Sequence, residues 1–440
     1  MVDFRPFKGI SYDTKISGPL GNVICPPYDI ISESSEQDLL ERNSFNMVRL
    51  ELAGTPEPLS QQRYLDAAIA FRSWLHQGVL IKDDVPSYYL LAQQFNYDQK
   101  LLTRYSLFGV LHLEDFGTNI LPHEATKPKA KADRLALIEA CAANFSPILG
   151  LHNDPHSHVS SICKRVSGTS PSKCFIDENG HTQRLWQISD LSDIGVIQEA
   201  LGSTQVYIAD GHHRYETALA YSKLHTPASS SADFASQFVM ACLTSFDDAG
   251  LLILPYHRIV KSMDSQTLGE FSNRLLQVFH HASLPADKRS PDLLDSVLEQ
   301  SDPTGPTFGL ISSKDRLPFL LRLSDHPEVK KCLSSQGAPL LRNVDPWVLD
   351  RLLFKPVFGE KTAEYVEAVS SSKDAYKMAQ TGESQFSFIL RGVPPKTFKQ
   401  VLDAGLLLPA KSTYFHPKLP SGILIHSLEG TNAKVANGES

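Results

Sequence analysis

The chain has 440 residues, 42% hydrophobic and 21% charged, a balance ordinary for a soluble globular protein and sufficient for a sizeable core. Its net charge of −7 argues against a protein that coats nucleic acid, which would carry a basic face. Six scattered cysteines without a C-x-x-C pair argue against a disulfide framework or a structural zinc site, and no stretch approaches the ~18 uninterrupted apolar residues of a membrane span.

The first residues, MVDFRPFKGISYD, lack the apolar centre of a signal peptide, so a cytoplasmic location is expected. Residues 1–55 are rich in strand and turn signals. Pro26 and Pro27 make a rigid extended corner that either aims Asp29 at a pocket or simply turns the chain at Tyr28 and Asp29. Ser32 to Glu36 reads as a helix start. Met47 to Leu52 alternates apolar and charged residues, as a half-buried strand does. Residues 60–77 are helical, with Tyr64, Ala67, Ala68, Phe71 and Leu75 on one face and Gly78 as the stop. Strands follow at 87–97 and 104–112, with a hairpin turn between them.

The segment His123 to Arg134, HEATKPKAKADR, is locally basic in an acidic chain. It combines a His-Glu pair with Lys127, Lys129 and Lys131, then opens a helix at Asp133 and Arg134 that runs to about Ala143. It is either a solvated loop or a phosphate-binding one, in which lysine supplies point charge and arginine a planar fork. Glu124 is then available as a base. A short strand is expected at 146–151. A helix, a hairpin and another helix fill 153–202.

The chain is organised around Gln205 to Ala220, QVYIADGHHRYETALA. Val206 to Ala209 is an apolar run suited to a buried strand, and Tyr215, Ala218 and Leu219 form an apolar stripe at helical spacing. A strand that feeds a helix through a tight turn leaves unpaired N–H groups and partial positive charge there, a place suited to phosphate or carboxylate. Gly211 allows close approach to the backbone. Asp210 is a good N-cap residue. His212, His213 and Arg214 supply donors, and the imidazoles move protons near neutral pH.

Beyond the motif, 226–232 is a polar loop, and 238–246 and 251–260 are expected to form a hairpin. His257 and Arg258 face the site or cap a sheet edge. The character changes near 262, where helices alternate with Ser/Pro-rich connectors. Strands are expected at 309–311, 319–323 and 386–390, a helix at 395–402, and a strand at 423–426 that returns to the main sheet. The expected domains are 1–261, 262–428 and a disordered tail, 429–440.

The P-loop, protein-kinase and Rossmann signatures and H-E-x-x-H do not occur in the sequence. The remaining inventory of carboxylates, imidazoles and cations fits phosphoryl transfer, which needs cations against phosphate, a base near the acceptor hydroxyl and usually Mg²⁺. Asp210 and Glu124 are the candidates for metal ligand or base, with His213 and Asp29 as further catalytic candidates. Gly211, His212, Arg214, His123, Lys131, Arg134 and Lys411 are expected to hold the phosphate donor. A metal-dependent hydrolase is the rival reading: His212 and Glu216 share a helix face and, with His123 or Glu124, would complete a site. A nucleotide-binding module without turnover is the third.

ADGHHRYETAL resembles the signature of a family known as domain of unknown function 1015. FRPFKGISYD, VICPPYDIIS, NMVRLEL, LPHEATKPKAKADRLALIEACAANFSPILGL, LLILPYHRIV and LPAKSTYFHPKLPSGILIH resemble its other segments. The likeness spans roughly residues 4–428. More distantly, the DGHHR-then-helix arrangement resembles ParB-like and sulfiredoxin-like domains, which include free-serine kinases. That resemblance implies a mixed-sheet α/β fold with a ParB-like core and an additional C-terminal α/β region. It places Asp210 and its neighbours at a phosphate-donor site. The implied acceptor is a small hydroxylated metabolite such as serine, and the implied donor is ATP, ADP or polyphosphate with Mg²⁺. The expected partner is a small-molecule substrate, with neither nucleic acid nor membrane; the oligomeric state is left open.

Overall fold

The computed structural model describes residues 1–52, 61–125, 128–225, 233–284, 290–301, 305–335 and 337–432. The fold is mixed α/β. The chain divides into two compact units, Met1–Leu251 with Pro417–Ser440, and Leu252–His416. The sequence boundary at 262 therefore falls inside the second unit, because the residues just before it pair with strands of that unit.

The first unit is built on a large mixed sheet. Its strands run in the order Ile120–Leu121, Val206–Asp210, Ile148–His152, Phe238–Ser245, Lys100–His112, Tyr88–Tyr97, Thr182–Ile188 and Lys173–Ile176. Phe4–Arg5 also pairs with Lys100–His112. The motif strand is parallel to Ile120–Leu121 and antiparallel to Ile148–His152. The long central hairpin turns at Asp98 and Gln99, both at positive φ (46° and 59°). That geometry matches the twist of the flanking strands.

Helices His158–Ser167 and Leu191–Gly202 contribute Val159, Ile162, Ile194, Ile197 and Leu201 to a core that also holds Leu90, Leu107, Val206, Ile208 and Leu243. The motif helix, His212–His225, packs on helix Pro128–Cys141, which packs on helix Gln61–His76. The apolar stripe of the motif helix is buried at Tyr215 and Ala218. Cys25, Cys141, Cys163 and Cys242 are free and buried.

Several expectations are corrected. Residues 47–52 are not a strand: Val48–Glu51 is a helical turn. The Asn46 side chain accepts a hydrogen bond from the Val48 amide at 3.0 Å and starts it. Glu51, which made the pattern look half-solvated, is buried. Strands 238–246 and 251–260 do not form a hairpin, since Phe238–Ser245 pairs with Lys100–His112 and Ile148–His152. The intervening turn presses on the central hairpin: a Cβ at Gly250 would lie 2.3 Å from the Thr103 carbonyl. Residues 251–260 split around Pro255 into Leu252–Leu254 and His257–Val260, as a residue without a ladder donor dictates.

The C-terminal segment does return to the first unit, but outside the large sheet. There His426–Ser427 pairs with Ala143–Asn144, and Ile425 bridges Ile10. Residues 429–432 are not a free tail: the Asn432 amide donates to Asp233 O at 2.8 Å, and the Asn432 carbonyl accepts from Arg5. Residues 433–440 and the polar loop 226–232 lie outside the described residues.

The second unit holds an antiparallel six-stranded sheet in the order Phe279–Ser283, Pro318–Leu323, Thr307–Ser312, Phe386–Ile389, His257–Val260 and Val366–Val369. Leu252–Leu254 pairs separately with Tyr414–His416. His257 and Arg258 lie on an inner strand of this sheet, so they do not cap its edge. The His257 Nδ1 accepts from the Leu390 amide, and Arg258 donates to the carbonyls of Tyr256, Ala410 and Lys411. Among the described residues, no helix is long and apolar enough to cross a membrane.

Candidate functional site

Asp210 ends the motif strand beyond a register shift that separates it from Ile208. Gly211 follows at φ 91° and accepts the first helical hydrogen bond, from the Tyr215 amide at 2.9 Å. Only glycine takes that φ without strain. The position is doubly constrained, since a Cβ there would sit 3.0 Å from the Arg214 guanidinium, which folds back beneath it. Gly211 is thus the residue that precedes the helix, and the expected capping role of Asp210 is replaced by another. One Asp210 oxygen accepts from Arg214 at 2.7 Å, and the other from Lys418 at 2.8 Å. Arg214 also donates to the Pro147 carbonyl. Burial alone would raise the Asp210 pKa, but Lys418 and Arg214 outweigh it and hold the group far below the usual carboxylate range. One carboxylate thus faces two cations beside a helix N-terminus.

Lys418 is the residue that sequence reasoning passed over. It was visible only as a lysine between two prolines in the C-terminal family segment. Its backbone is placed by two side chains of the central hairpin: Gln93 donates to the Lys418 carbonyl at 3.2 Å, and the buried Arg104 donates to the Pro417 carbonyl at 2.7 Å. Gln93 and Arg104 are cross-strand partners. Two fully buried polar side chains facing each other in a sheet are the signal that could have revealed this support.

A second layer packs against the first. His123 and His212 are buried edge to face, with ring centroids 4.4 Å apart. His123 Nδ1 lies 2.7 Å from the Ile208 carbonyl, so it must carry the proton it donates. His212 Nε2 accepts from the His123 amide at 3.2 Å, which places the His212 proton on Nδ1 in the neutral ring. That Nδ1 lies 3.9 Å from the Glu124 carboxylate. Burial lowers the pKa of both imidazoles. The ligand atoms of His123, Glu124 and His212 lie within 4.8 Å of one another, a spacing that suits a metal ion. The tautomer opposes that use, because the His212 nitrogen that faces Glu124 bears the proton.

His213 is half-buried on the outer side. Burial lowers its pKa, while Glu124, Glu216 and Asp29 pull the other way. The exposed Asp29, on the short turn Tyr28–Ile30, is thereby near the motif. Glu216 pairs with Lys131 at 2.9 Å rather than with His212. Arg134 is buried, donates to Glu51 at 2.8 Å and to Asp133, and lies 4.0 Å over the Tyr28 ring. It anchors the corner that carries Asp29, in place of the phosphate contact expected of it. Lys129 lies on helix Pro128–Cys141, and Lys127 lies outside the described residues. Lys411 belongs to the second unit, where its ammonium lies 5.2 Å from the centre of the Tyr256 ring.

Of the expected site, the structure brings together Asp210, Gly211, His212, His213 and Arg214 with His123, Glu124, Asp29 and the Lys131–Glu216 pair. It adds Lys418.

A family model described as "Protein of unknown function (DUF1015)" matches residues 4–346, and the chain belongs to that family. No curated protein matches it. Among solved structures, a mutant free serine kinase in complex with AMP is similar at 13% identity and a TM-score of 0.34, covering 69% of this chain and 89% of that one. A conserved hypothetical protein from Pyrococcus furiosus is similar at 14% identity and 0.33, covering 69% and 90%. C-terminally truncated SbnI from Staphylococcus aureus is similar at 10% identity and 0.34, covering 72% and 87%.

Proposed function

We propose that this member of the DUF1015 family is a small-molecule phosphotransferase, with the first unit as a ParB-like catalytic core. The observation that carries the reading is the Asp210 carboxylate held between Arg214 and Lys418 at the start of the motif helix. An ionised carboxylate that keeps two cations in place at a helix N-terminus prepares a seat for the phosphates of a nucleotide or polyphosphate. In this reading Arg214, Lys418 and the backbone at Gly211 take the phosphate oxygens. His123 and His212 stay neutral inside, and the His212 Nδ1–H orients Glu124.

Glu124 or His213 then takes the proton of the acceptor hydroxyl as that oxygen attacks the terminal phosphorus. The bond from that phosphorus to its bridging oxygen breaks, and the shortened phosphate donor leaves with the bond's electron pair on that oxygen. A neutral His213 near pH 7, favoured by its lowered pKa, is competent to accept it. In this reading the exposed Asp29 binds an amino group on the acceptor, as free serine would carry. Mg²⁺ fits through Glu124 and substrate phosphates rather than through Asp210, both of whose oxygens already face cations. Bound there, it would neutralise charge on the transferring group.

The metal-dependent hydrolase reading draws on the cluster of His123, Glu124 and His212, and the His212 tautomer weighs against it. Isothermal titration separates the two. Under the phosphotransferase reading, ADP and pyrophosphate bind, and Lys418→Met weakens both by about ten-fold or more, the order expected for one buried charge-assisted contact. Tight zinc or manganese binding with no phosphate-ligand heat would support the hydrolase.

A further inference from the structure

A cavity lies in the first unit, between helix His158–Ser167 and the ends of strands Ile148–His152 and Phe238–Ser245. Its volume is about 320 Å³. An apolar cavity of ~150 Å³ already takes benzene, so this one has room for a fused-ring molecule. Leu107, Val159, Cys163 and Leu243 contribute apolar wall.

The polar content of the cavity is specific. His152 lines it and is only 2% exposed. Its Nδ1 lies 3.0 Å from the Asn153 carbonyl, which can only accept, so the proton is on Nδ1. Nε2 is therefore a bare acceptor, and it has no hydrogen-bond partner among the described residues. Burial lowers the His152 pKa, which keeps the ring neutral. An acceptor that faces a roomy cavity without a donor from the protein marks where a ligand or water belongs. Both oxygens of Asp248, also in the lining, accept backbone amides, from Tyr105 at 3.2 Å and Gly250 at 2.9 Å. Burial raises the Asp248 pKa, and Ser160, Ser245 and the exposed Lys164 complete the polar lining.

We infer that this cavity is a second small-molecule site, which takes a neutral fused-ring or heteroaromatic compound carrying an N–H or O–H donor directed at His152 Nε2. It is distinct from the Asp210 site in chemistry, since it selects for donors and apolar area rather than for phosphate. The two are linked by one strand pair, with Val206 of the motif strand opposite His152.

The probe is indole, compared with N-methylindole, which has nearly the same shape and no donor. Binding to the full-length protein is read by ligand-observed saturation-transfer NMR titration. The expected result is saturable indole binding that is at least about five-fold tighter than N-methylindole binding, a discrimination of the size one added hydrogen bond produces. Cys163→Phe, which fills the cavity, abolishes indole binding, and His152→Phe removes the preference for indole. No saturable indole binding, or equal affinity of the unaltered protein for both probes, overturns the inference without appeal to any variant.

Discussion

At the residue scale, the site depends on a few positions that serve two purposes at once. Gly211 supplies both a left-handed turn and room for the Arg214 guanidinium. Gly211→Ala should destabilise the protein by about 1–3 kcal/mol, the usual cost of such backbone strain. It should also displace Arg214, so chemical denaturation and phosphate-ligand affinity should fall together. Stability loss with unaltered affinity would mean that Arg214 does not contact the ligand. The acid–histidine density of ADGHHR was legible in the sequence because a strand-to-helix junction rarely holds so many polar groups without a use. The exact partner of Asp210 was not, since Lys418 is 208 residues away and nothing local to either residue links them.

At the element scale, the short turn Val48–Glu51 and helix Pro128–Cys141 are joined by a buried ion pair. Glu51 and Arg134 side chains are 2% and 4% exposed and lie 2.8 Å apart. Removing one partner of such a pair leaves a buried charge, typically worth about 3–5 kcal/mol. Arg134→Met should lower urea stability by that order, and by removing the cover over Tyr28 should loosen the corner that carries Asp29. A change under about 1 kcal/mol, the surface-pair range, would show that solvent reaches the pair.

This pair also explains the main error in reading the sequence. Met47 to Leu52 alternates like a strand, but Glu51 points inward because Arg134 awaits it, so the charged positions do not mark a solvent face. Alternation predicts a strand only when charge means exposure. The long hairpin at 88–112 was legible because its apolar runs and the two-residue turn agree. The supposed hairpin at 238–260 was not, because Pro255 and the second unit's strands claim its latter half.

At the scale of the whole molecule, both units bury imidazoles in neutral form. Burial lowers His257 to about 4 in the second unit and His426 to about 3 in the first. In the unfolded chain these groups protonate near ~6.5. Between ~6.5 and those lowered values the unfolded state binds more protons than the folded one, so stability falls as the pH drops through this window. Asp210 adds to the loss in more acid solution, where its carboxylate protonates in the unfolded chain before it does in the fold. Urea midpoints measured at about pH 7.5 and about pH 5, at constant salt, should be clearly lower at the acid value. Equal midpoints would mean that these histidines bind protons alike in the folded and unfolded chain, against burial in neutral form. A change of character near 262 was legible in the sequence; that the second unit begins at Leu252, and that the chain rejoins the first at Pro417 through Gln93 and Arg104, was not.

The central claim is phosphoryl transfer at the Asp210 site. The most direct test is phosphorus NMR of the full-length protein with Mg²⁺, free serine, and ATP, ADP or polyphosphate supplied in turn, with Asp210→Ala as the control. The account predicts a new phosphomonoester resonance with at least one donor, lost in the variant while the fold persists. Phosphate-ligand binding with no new resonance from any donor would contradict catalysis of serine phosphorylation and leave a nucleotide-binding module. A resonance that survives in Asp210→Ala would contradict the assignment of the site.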